Sequence, residues 1–180
     1  ESDCASGFFV GGVVNGSCHN HGTSVASLAV GRYLGVAKNA TLVPVMILDC
    51  DNRGTIVDWL LGMEWVIADL AEHPEARGVM SFSVGGGGTC ASCDALVRVA
   101  RDAGIPLVAG AGNSGVNDCW RTPQSEPSTI VVGASSRYDY REFNYGECVD
   151  VFAPGTQINL HAHVTSGLLI VAARCPQDTL

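Results

Sequence analysis

The chain has 180 residues, of which 47% are hydrophobic and 16% are charged, and this composition is typical of one globular domain rather than of a disordered segment. Its formal net charge of -8 argues against nucleic acid as a partner, because nucleic-acid binding requires a basic surface. No apolar run approaches the ~20 residues of a transmembrane helix, so we expect no membrane span.

Eight cysteines are spread along the whole chain, at positions 4, 18, 50, 90, 93, 119, 148 and 175. Such a distribution is typical of disulfide-bonded secreted proteins, although the count alone does not fix the pairing. Two tripeptides, residues 15–17 and 39–41, match the acceptor sequence for N-glycosylation. We therefore expect a secreted or extracellular protein. Cys90 and Cys93 favour a structural disulfide over a zinc or redox pair, since no second pair stands at metal-ligand spacing.

Residues 1–20 are polar and glycine-rich and predict a surface loop, and beyond them helices and strands alternate. Apolar residues at helical spacing predict helices over residues 25–30, 55–71 and 95–103. Continuous apolar runs predict buried strands over residues 41–49, 78–84, 107–111, 129–133 and 149–152. This alternation indicates an α/β fold, a mostly parallel sheet with helices on both faces.

His21 opens the run His-Gly-Thr-Ser-Val-Ala (residues 21–26), which places an ionisable side chain at the start of a small-residue, apolar segment. Imidazole titrates near neutral pH, so it can take a proton from a nucleophile and return it to a leaving group. Taken alone, the same histidine also fits an ordinary turn before a core helix. The rest of the chain decides between these two interpretations.

Four short stretches occur in the order and approximate spacing found in one enzyme family, at residues 21–26, 35–40, 108–113 and 152–155. Together they resemble the subtilisin-like serine proteases. Three more stretches are most similar to the proteinase K branch, at residues 62–65, 123–128 and 132–139. The resemblance covers about residues 15–158, whereas residues 159–180 form a divergent tail. We therefore interpret residues 1–180 as a single partial peptidase domain of subtilisin-like α/β fold, incomplete at both ends.

The resemblance implies a serine endopeptidase that hydrolyses peptide bonds with a Ser-His-Asp triad. His21 would act first as general base and then as general acid, and Asn113 would donate its side-chain amide to the oxyanion. A peptide or protein substrate would pair its extended main chain with the segment Ser83, Val84, Gly85 and Gly86. Residues 54–56 would supply the facing edge of that cleft.

The same resemblance implies a calcium site, a disulfide and a propeptide. The carbonyls of Pro127 and Thr129 and the carboxylate of Asp150 would form an oxygen-rich set that suits a hard cation, although an ordinary surface carboxylate at Asp150 fits as well. The chemistry requires no cofactor, so calcium would be structural. Cys119 and Cys148 stand where a related branch has a bonded pair, and the full-length protein would carry a propeptide.

Two members of the triad have no matching motif. The family order is Asp, His, Ser, yet no Asp-Ser-Gly or Asp-Thr-Gly precedes His21, and Asp3 is too close in sequence to serve. Ser166 lacks the preceding glycine and the following small-residue helix of the nucleophile motif, and Ser24 belongs to the histidine motif. We interpret the chain as a fragment of the catalytic domain of a secreted endopeptidase.

Two other functions compete with this interpretation. Residues 110–115 (Gly-Ala-Gly-Asn-Ser-Gly) have the spacing of a dinucleotide-binding loop, but the following residues, through Pro123 and Pro127, cannot build the helix that such a loop requires. A protease-like protein that lacks catalytic activity is the stronger alternative. With two triad members missing, it would bind peptides or a partner protein along residues 83–86 without cutting them.

Overall fold

The computed structural model describes residues 9–10, 21–49, 51–86, 88–158 and 170–176. Its helices are α1 (His21–Val30), α2 (Ile56–Ala71) and α3 (Ala91–Asp102). Its strands are β1 (Phe9–Val10), β2 (Thr41–Met46), β3 (Ala76–Phe82), β4 (Leu107–Gly110), β5 (Thr129–Ser135), β6 (Arg141–Glu142), β7 (Val151–Pro154) and β8 (Ile170–Pro176). The chain divides into two units, residues 1–81 with 160–180 and residues 82–159. Among the helices of the described ranges, none is long and apolar enough to cross a membrane.

In the first unit, β2 pairs with two antiparallel strands. Its last two residues, Val45 and Met46, face β1, and residues 41–45 pair with residues 170–174 of β8. Pro44 removes one donor from this ladder and is paired with Val171 without ending the strand. The antiparallel pairing of β2 with β8 joins two segments that are more than 120 residues apart in the sequence.

Helix α2 buries one face in the first unit. Thr55 is its N-cap, because its hydroxyl accepts from the Asp58 amide (3.3 Å) while the Asp58 carboxylate accepts from the Thr55 amide (2.8 Å). A Cβ on Gly78 of β3 would lie 2.2 Å from Leu70 Cδ1, so only glycine allows this approach of strand and helix. The residues that α2 buries are Trp59, Gly62, Met63, Val66 and Leu70.

In the second unit, β5 lies at the centre of the strand pairing. It is parallel to β4, with Leu107 opposite Thr129, and parallel to β7, with Val132 opposite Val151. It also forms an antiparallel hairpin with β6. A Cβ on Gly133 would lie 2.5 Å from the ring of Phe152, its partner across the ladder, so a side chain at this position would force the ring to move. The parallel arrangement predicted from the sequence is confirmed here.

Helix α3 ends as predicted, with a Schellman motif around Gly104. The Gly104 amide donates to the Arg101 carbonyl (2.8 Å) and the Ile105 amide to the Ala100 carbonyl (2.9 Å). Gly104 has a φ of 79°, which glycine adopts at little cost. The turn delivers the buried side chains of Ile105 and Leu107 to the core beside β4.

Two helices begin four residues earlier than predicted. Helix α1 begins at His21 rather than at residue 25, because Gly22 and Ala26 bury the same face one turn apart and extend the packed part of the helix. Helix α3 begins at Ala91 rather than at residue 95, because Cys90 caps it, its sulfur accepting from the Cys93 amide (3.2 Å). Cysteine is not among the usual N-cap residues, so this start is hard to recognise in the sequence.

The strands also differ from the prediction. Strand β2 ends at Met46 rather than at residue 49, because the chain turns at Asp49, whose carboxylate accepts from the amides of Asp51 and Arg53. Strand β3 ends at Phe82, before the glycine-rich stretch. Three strands were not predicted: β1, β6 and β8. Strands β1 and β6 have only two residues each, too few for a recognisable pattern, and β8 pairs with the distant β2. Asp3 and Ser166 lie outside the described residues.

A buried ion pair fixes the loop before β5. Glu126 is 6% exposed and accepts hydrogen bonds from Arg98 of α3 and from the Ser128 hydroxyl (2.7 Å). Burial raises the pKa of Glu126, but the hydrogen bonds from Ser128 and the Arg98 guanidinium outweigh burial and hold its pKa below the ordinary value. A lowered folded pKa stabilises the folded state above the unfolded pKa, and this contribution is lost as pH falls through the folded pKa.

We predict that Glu126→Gln lowers the free energy of unfolding by about 1–2 kcal/mol at neutral pH, because the charged partner of Arg98 is removed. The difference from the parent should shrink as pH falls through the folded pKa of Glu126, because the parent carboxyl then becomes protonated as well. Urea unfolding at neutral and at acidic pH measures this. Glu147→Gln, which changes an exposed carboxylate of the same unit, is the control. An equal loss for Glu126→Gln at both pH values would contradict the prediction.

Candidate active site

His21, the predicted general base, is the first residue of α1 in the first unit, and its side chain is half-buried. It therefore stands at the end of a rigid element, which suits a group that must transfer protons at a fixed position. Ser24 lies one turn further along, and its carbonyl accepts from the Ser27 hydroxyl (2.8 Å). Ser24 thus lies within the span of this helix rather than at its end.

Asn113, the predicted oxyanion donor, is exposed on the loop that follows β4 in the second unit, which we call the Asn113 loop (residues 111–118). The loop begins on the sheet, because the Ala111 amide donates to the Val132 carbonyl of β5 (2.8 Å). Gly112 has a φ of 104°, a backbone conformation that favours glycine. The chain therefore turns away from the sheet immediately before Asn113.

The Asn144 side chain holds the Asn113 loop from inside the unit. It is 2% exposed, and its oxygen accepts from the amides of Ser114 (2.8 Å) and Val116 (3.2 Å). Its nitrogen donates to the Ala111 carbonyl (2.8 Å) and to the Asp118 carboxylate (3.2 Å). These contacts lie on both sides of Asn113 in the sequence, so one buried amide fixes the backbone that carries the predicted donor.

The predicted substrate segment (residues 83–86) lies just beyond the end of β3. Ser83, Val84 and Gly86 are half-buried, whereas Gly85 is exposed. A Cβ added to Gly85 would meet no atom within 4 Å, so the space beside its backbone is open. An extended peptide could lie against this backbone as an added strand.

Arg121 connects the substrate segment to the Asn113 loop. Its Nη1 donates to the Gly86 carbonyl (3.2 Å), and its Nε lies 3.1 Å from the carboxylate of Asp118. Its guanidinium also stacks 4.9 Å from the ring centre of Trp120. The Asp118 carboxylate therefore contacts both Arg121 and Asn144. Through these three side chains, the Gly86 carbonyl is connected to the Ala111 carbonyl within one unit.

The residues after Arg121 add two further connections. The Thr122 hydroxyl accepts from the Cys90 amide (2.9 Å), and the Thr122 amide donates to the Gly88 carbonyl (3.2 Å). Gln124, which is 6% exposed, donates to the Gly110 carbonyl (2.6 Å) at the end of β4. The loop between the Asn113 loop and β5 thus bonds to residues 88 and 90, just after the substrate segment, and to residue 110, just before the Asn113 loop.

Two disulfides lie in the second unit. Cys119 and Cys148 are bonded, as the resemblance implies, and their Cα atoms are 5.4 Å apart. Cys90 and Cys93 are also bonded, which confirms the structural interpretation of this pair. Within the described residues, no three His, Cys, Asp or Glu side chains come together as a metal centre.

The predicted facing edge (residues 54–56) lies in the first unit, between a turn and α2. A Cβ on Gly54 would lie 2.2 Å from the Ile47 carbonyl oxygen, so glycine is required for this close approach. A small pocket of about 150 Å³ lies beside it, lined by Ile47, Leu48, Asp49, Arg53, Gly54, Thr55 and Asp58. The edge is therefore held by the turn and by the cap of α2.

The predicted calcium ligands lie around the start of β5. Asp150 is exposed, one of its carboxylate oxygens accepts from the Val131 amide (2.8 Å), and its own amide donates to the Val131 carbonyl (3.0 Å). One carboxylate oxygen is thus oriented by the protein while the other can face a cation. Asp150, Pro127 and Thr129 offer one carboxylate and two main-chain carbonyls near the start of β5, and such oxygens are the ligand type that calcium prefers.

The sequence missed Asn144, Arg121 and Gln124. Each acts through a hydrogen bond to a main-chain group at least 14 residues away, and the Asn144 partners are 26 to 33 residues away. An asparagine before Tyr145 and Gly146 is typical of an ordinary turn, so no local pattern marks it.

Comparisons with known proteins agree on one family. The subtilase family model matches residues 11–180. An extracellular serine proteinase of Thermus sp. (strain Rt41A) is 39% identical over 143 residues, which cover 78% of this chain and 34% of that protein. Subtilisin-like protease 7 of Arthroderma gypseum is 39% identical over 143 residues, which cover 78% of this chain and 36% of that protein. The chain thus spans about a third of the length of these curated relatives.

A solved structure gives the same result for the fold. The crystal structure of a cold-adapted subtilisin-like serine proteinase matches with a TM-score of 0.71 at 38% identity, over 78% of this chain and 50% of that one. The predicted subtilisin-like α/β fold is therefore confirmed. The family match runs over residues 11–180 and so includes residues 159–180. On the evidence of its motifs, its fold and these matches, the chain belongs to the subtilase family.

Proposed function

We propose that this chain is part of the catalytic domain of a secreted serine endopeptidase of the proteinase K-like branch, which hydrolyses peptide bonds by a Ser-His-Asp mechanism. The observation that carries the proposal is the exposed Asn113, presented at the end of a parallel strand on a loop held by a buried amide. An amide donor that is fixed before the reaction starts is what stabilisation of an oxyanion requires.

His21 would take the proton of the attacking serine hydroxyl and then deliver it to the leaving amine. Asn113 would donate its side-chain N–H to the oxygen on which negative charge develops. The nucleophilic serine and the orienting aspartate have no matching motif in these 180 residues, so the proposal concerns the protein in which both are supplied. Such a protein would carry a propeptide that keeps it inactive until it is removed.

The substrate would be an extended peptide or protein chain bound along residues 83–86. The open backbone at Gly85 supports this binding mode, because nothing lies within 4 Å of the position of a Cβ. The two disulfides of the second unit support a secreted protein, since such bonds persist in oxidising compartments.

We predict that Asn113→Ala lowers kcat by about 10²–10³-fold with little change in KM, a magnitude measured for the corresponding donor of subtilisin itself. His21→Ala should lower kcat further and prevent labelling of the serine by a fluorophosphonate probe. Hydrolysis of a chromogenic peptide by the full-length protein measures the first effect. His73→Ala, which changes a histidine bonded to the Asp69 carbonyl, is the matched control for His21→Ala.

The protease-like protein without activity makes a different prediction for the same experiments. A full-length protein that binds an extended peptide but neither hydrolyses it nor reacts with the probe would overturn the proposed function and support the binding role. Unchanged kcat in Asn113→Ala would overturn the role of Asn113 alone.

We also propose a structural calcium ion on Asp150 and the carbonyls of Pro127 and Thr129. Removing calcium with a chelator should lower Tm of the parent by a few degrees, since a ligand at ~100 times its Kd stabilises by about 2.7 kcal/mol. Asp150→Asn, which keeps an oxygen for the Val131 amide, should remove most of the calcium-dependent difference in Tm. Glu147→Gln should retain it. An unchanged calcium effect in Asp150→Asn would show that the ion binds elsewhere.

A further inference from the structure

We propose that Asn144 is the positioning residue for the oxyanion donor, so that its side chain sets the catalytic rate by way of Asn113. The inference rests on the proposed function. It is carried by the contacts of a single amide, which bonds to residues 111, 114, 116 and 118 while Asn113 itself stays exposed. All of these residues belong to the second unit.

The hydrogen-bonding capacity of the Asn144 amide is fully used. An asparagine side chain has two N–H donors and one oxygen with two lone pairs, and here it makes two donated and two accepted bonds. The partners also fix its orientation, because two backbone N–H groups face one end, and a carbonyl and a carboxylate face the other. A flipped amide would bring donors against donors. No other uncharged side chain combines this shape with these bonds.

The Asn144 side chain leaves no space for a side chain at Gly112, the residue next to Asn113. A Cβ on Gly112 would lie 2.4 Å from the Asn144 nitrogen, and the Asn144 amide of the main chain donates to the Gly112 carbonyl (3.3 Å). The Tyr145 amide donates to the Val116 carbonyl (3.2 Å). Residues 144–145 therefore run beside the Asn113 loop and bond to it before and after Asn113.

The network also connects the Asn113 loop to the substrate segment. Asp118 accepts from Asn144 with one oxygen, and its other oxygen lies 3.1 Å from Arg121, which donates to the Gly86 carbonyl. A shift of the Asn144 amide would thus alter the position of the oxyanion donor relative to the bound main chain. Displacements of about 1 Å in such groups lower rates by about 100-fold.

A purely structural role for Asn144 makes a different prediction from a positioning role. If Asn144 only stabilises the fold, its substitution and that of Asn113 have independent effects on kcat, and the effects multiply. If Asn144 acts through Asn113, its substitution has no further effect once the Asn113 amide is absent. A double-mutant cycle on kcat therefore separates the two roles.

The experiment uses the full-length protein with Asn144→Ala, Asn113→Ala and the double variant. We expect Asn144→Ala to lower kcat about 10- to 100-fold with KM within about threefold, and to have no further effect in the Asn113→Ala background. Asn144→Asp keeps both accepted bonds but loses both donated ones, so it should retain more activity than Asn144→Ala only if the accepted bonds dominate. Multiplying effects in the double variant, or unchanged kcat in Asn144→Ala, would overturn the proposal.

Asp118→Ala covers the case in which Asn144→Ala does not fold, because it removes one partner of the amide and leaves the buried side chain in place. It should lower kcat several-fold, and the part of this loss that acts through Asn113 should vanish in the Asn113→Ala background, whereas the part that acts through Arg121 and the Gly86 carbonyl should remain. A loss that persists in full in that background would count against the positioning role. Val97→Ala is the control, a change at a buried residue of α3 in the same unit. It should lower stability and leave kcat unchanged.

Hydrogen exchange separates failure of this proposal from failure of the proposed function. The amides of Ser114 and Val116 donate to Asn144, so both should exchange about tenfold faster in Asn144→Ala and at the parental rate in Val97→Ala. If the parent hydrolyses no peptide, this readout still tests whether Asn144 positions the loop. Unchanged exchange at both amides would overturn the positioning role whatever the activity of the protein.

Discussion

The structure around Asn113 depends on one requirement, which is that the main-chain groups of an irregular loop beside a sheet need hydrogen-bond partners. Residues 111–118 leave β4 without continuing as strand or helix, so their N–H and C=O groups lack the partners that regular structure supplies. Hydrogen bonds to Asn144 and to β5 meet this need. Burying a single side chain amide among main-chain groups gives the loop one conformation without any regular secondary structure.

The substrate segment and the Asn113 loop each follow the carboxyl end of a strand. Residues 83–86 follow β3, and the Asn113 loop follows β4. Open α/β sheets place their binding sites at this edge, because each strand there gives way to a loop whose sequence is free to vary. Arg121, Thr122 and Gln124 then bond the two segments to one supporting loop, so rigid strands and a shared support set the spacing of the site.

Local patterns predicted the parts of the structure that depend on local physics. The apolar spacing of α2, the glycine stop of α3 and the parallel strands β4, β5 and β7 were all visible in the sequence. The sulfur cap of α3 and the pairing of β8 with β2 were not visible, since the first uses an unusual cap and the second joins distant segments. Short ordered motifs marked His21 and Asn113 as candidate site residues, whereas Asn144 became a candidate only from its partners in space.

The Cys119–Cys148 disulfide shortens the covalent path between Asp118 and Asn144. Asn144 and Asp118 are 26 residues apart in sequence, yet the path through the disulfide passes along only residues 118–119 and 144–148. Closing the shorter path costs about 1 kcal/mol less conformational entropy, because closure entropy grows with the logarithm of loop length. Once the disulfide has formed, a contact that would otherwise be among the slow, non-local ones becomes a local one, and the Asn113 loop can be ordered early in folding.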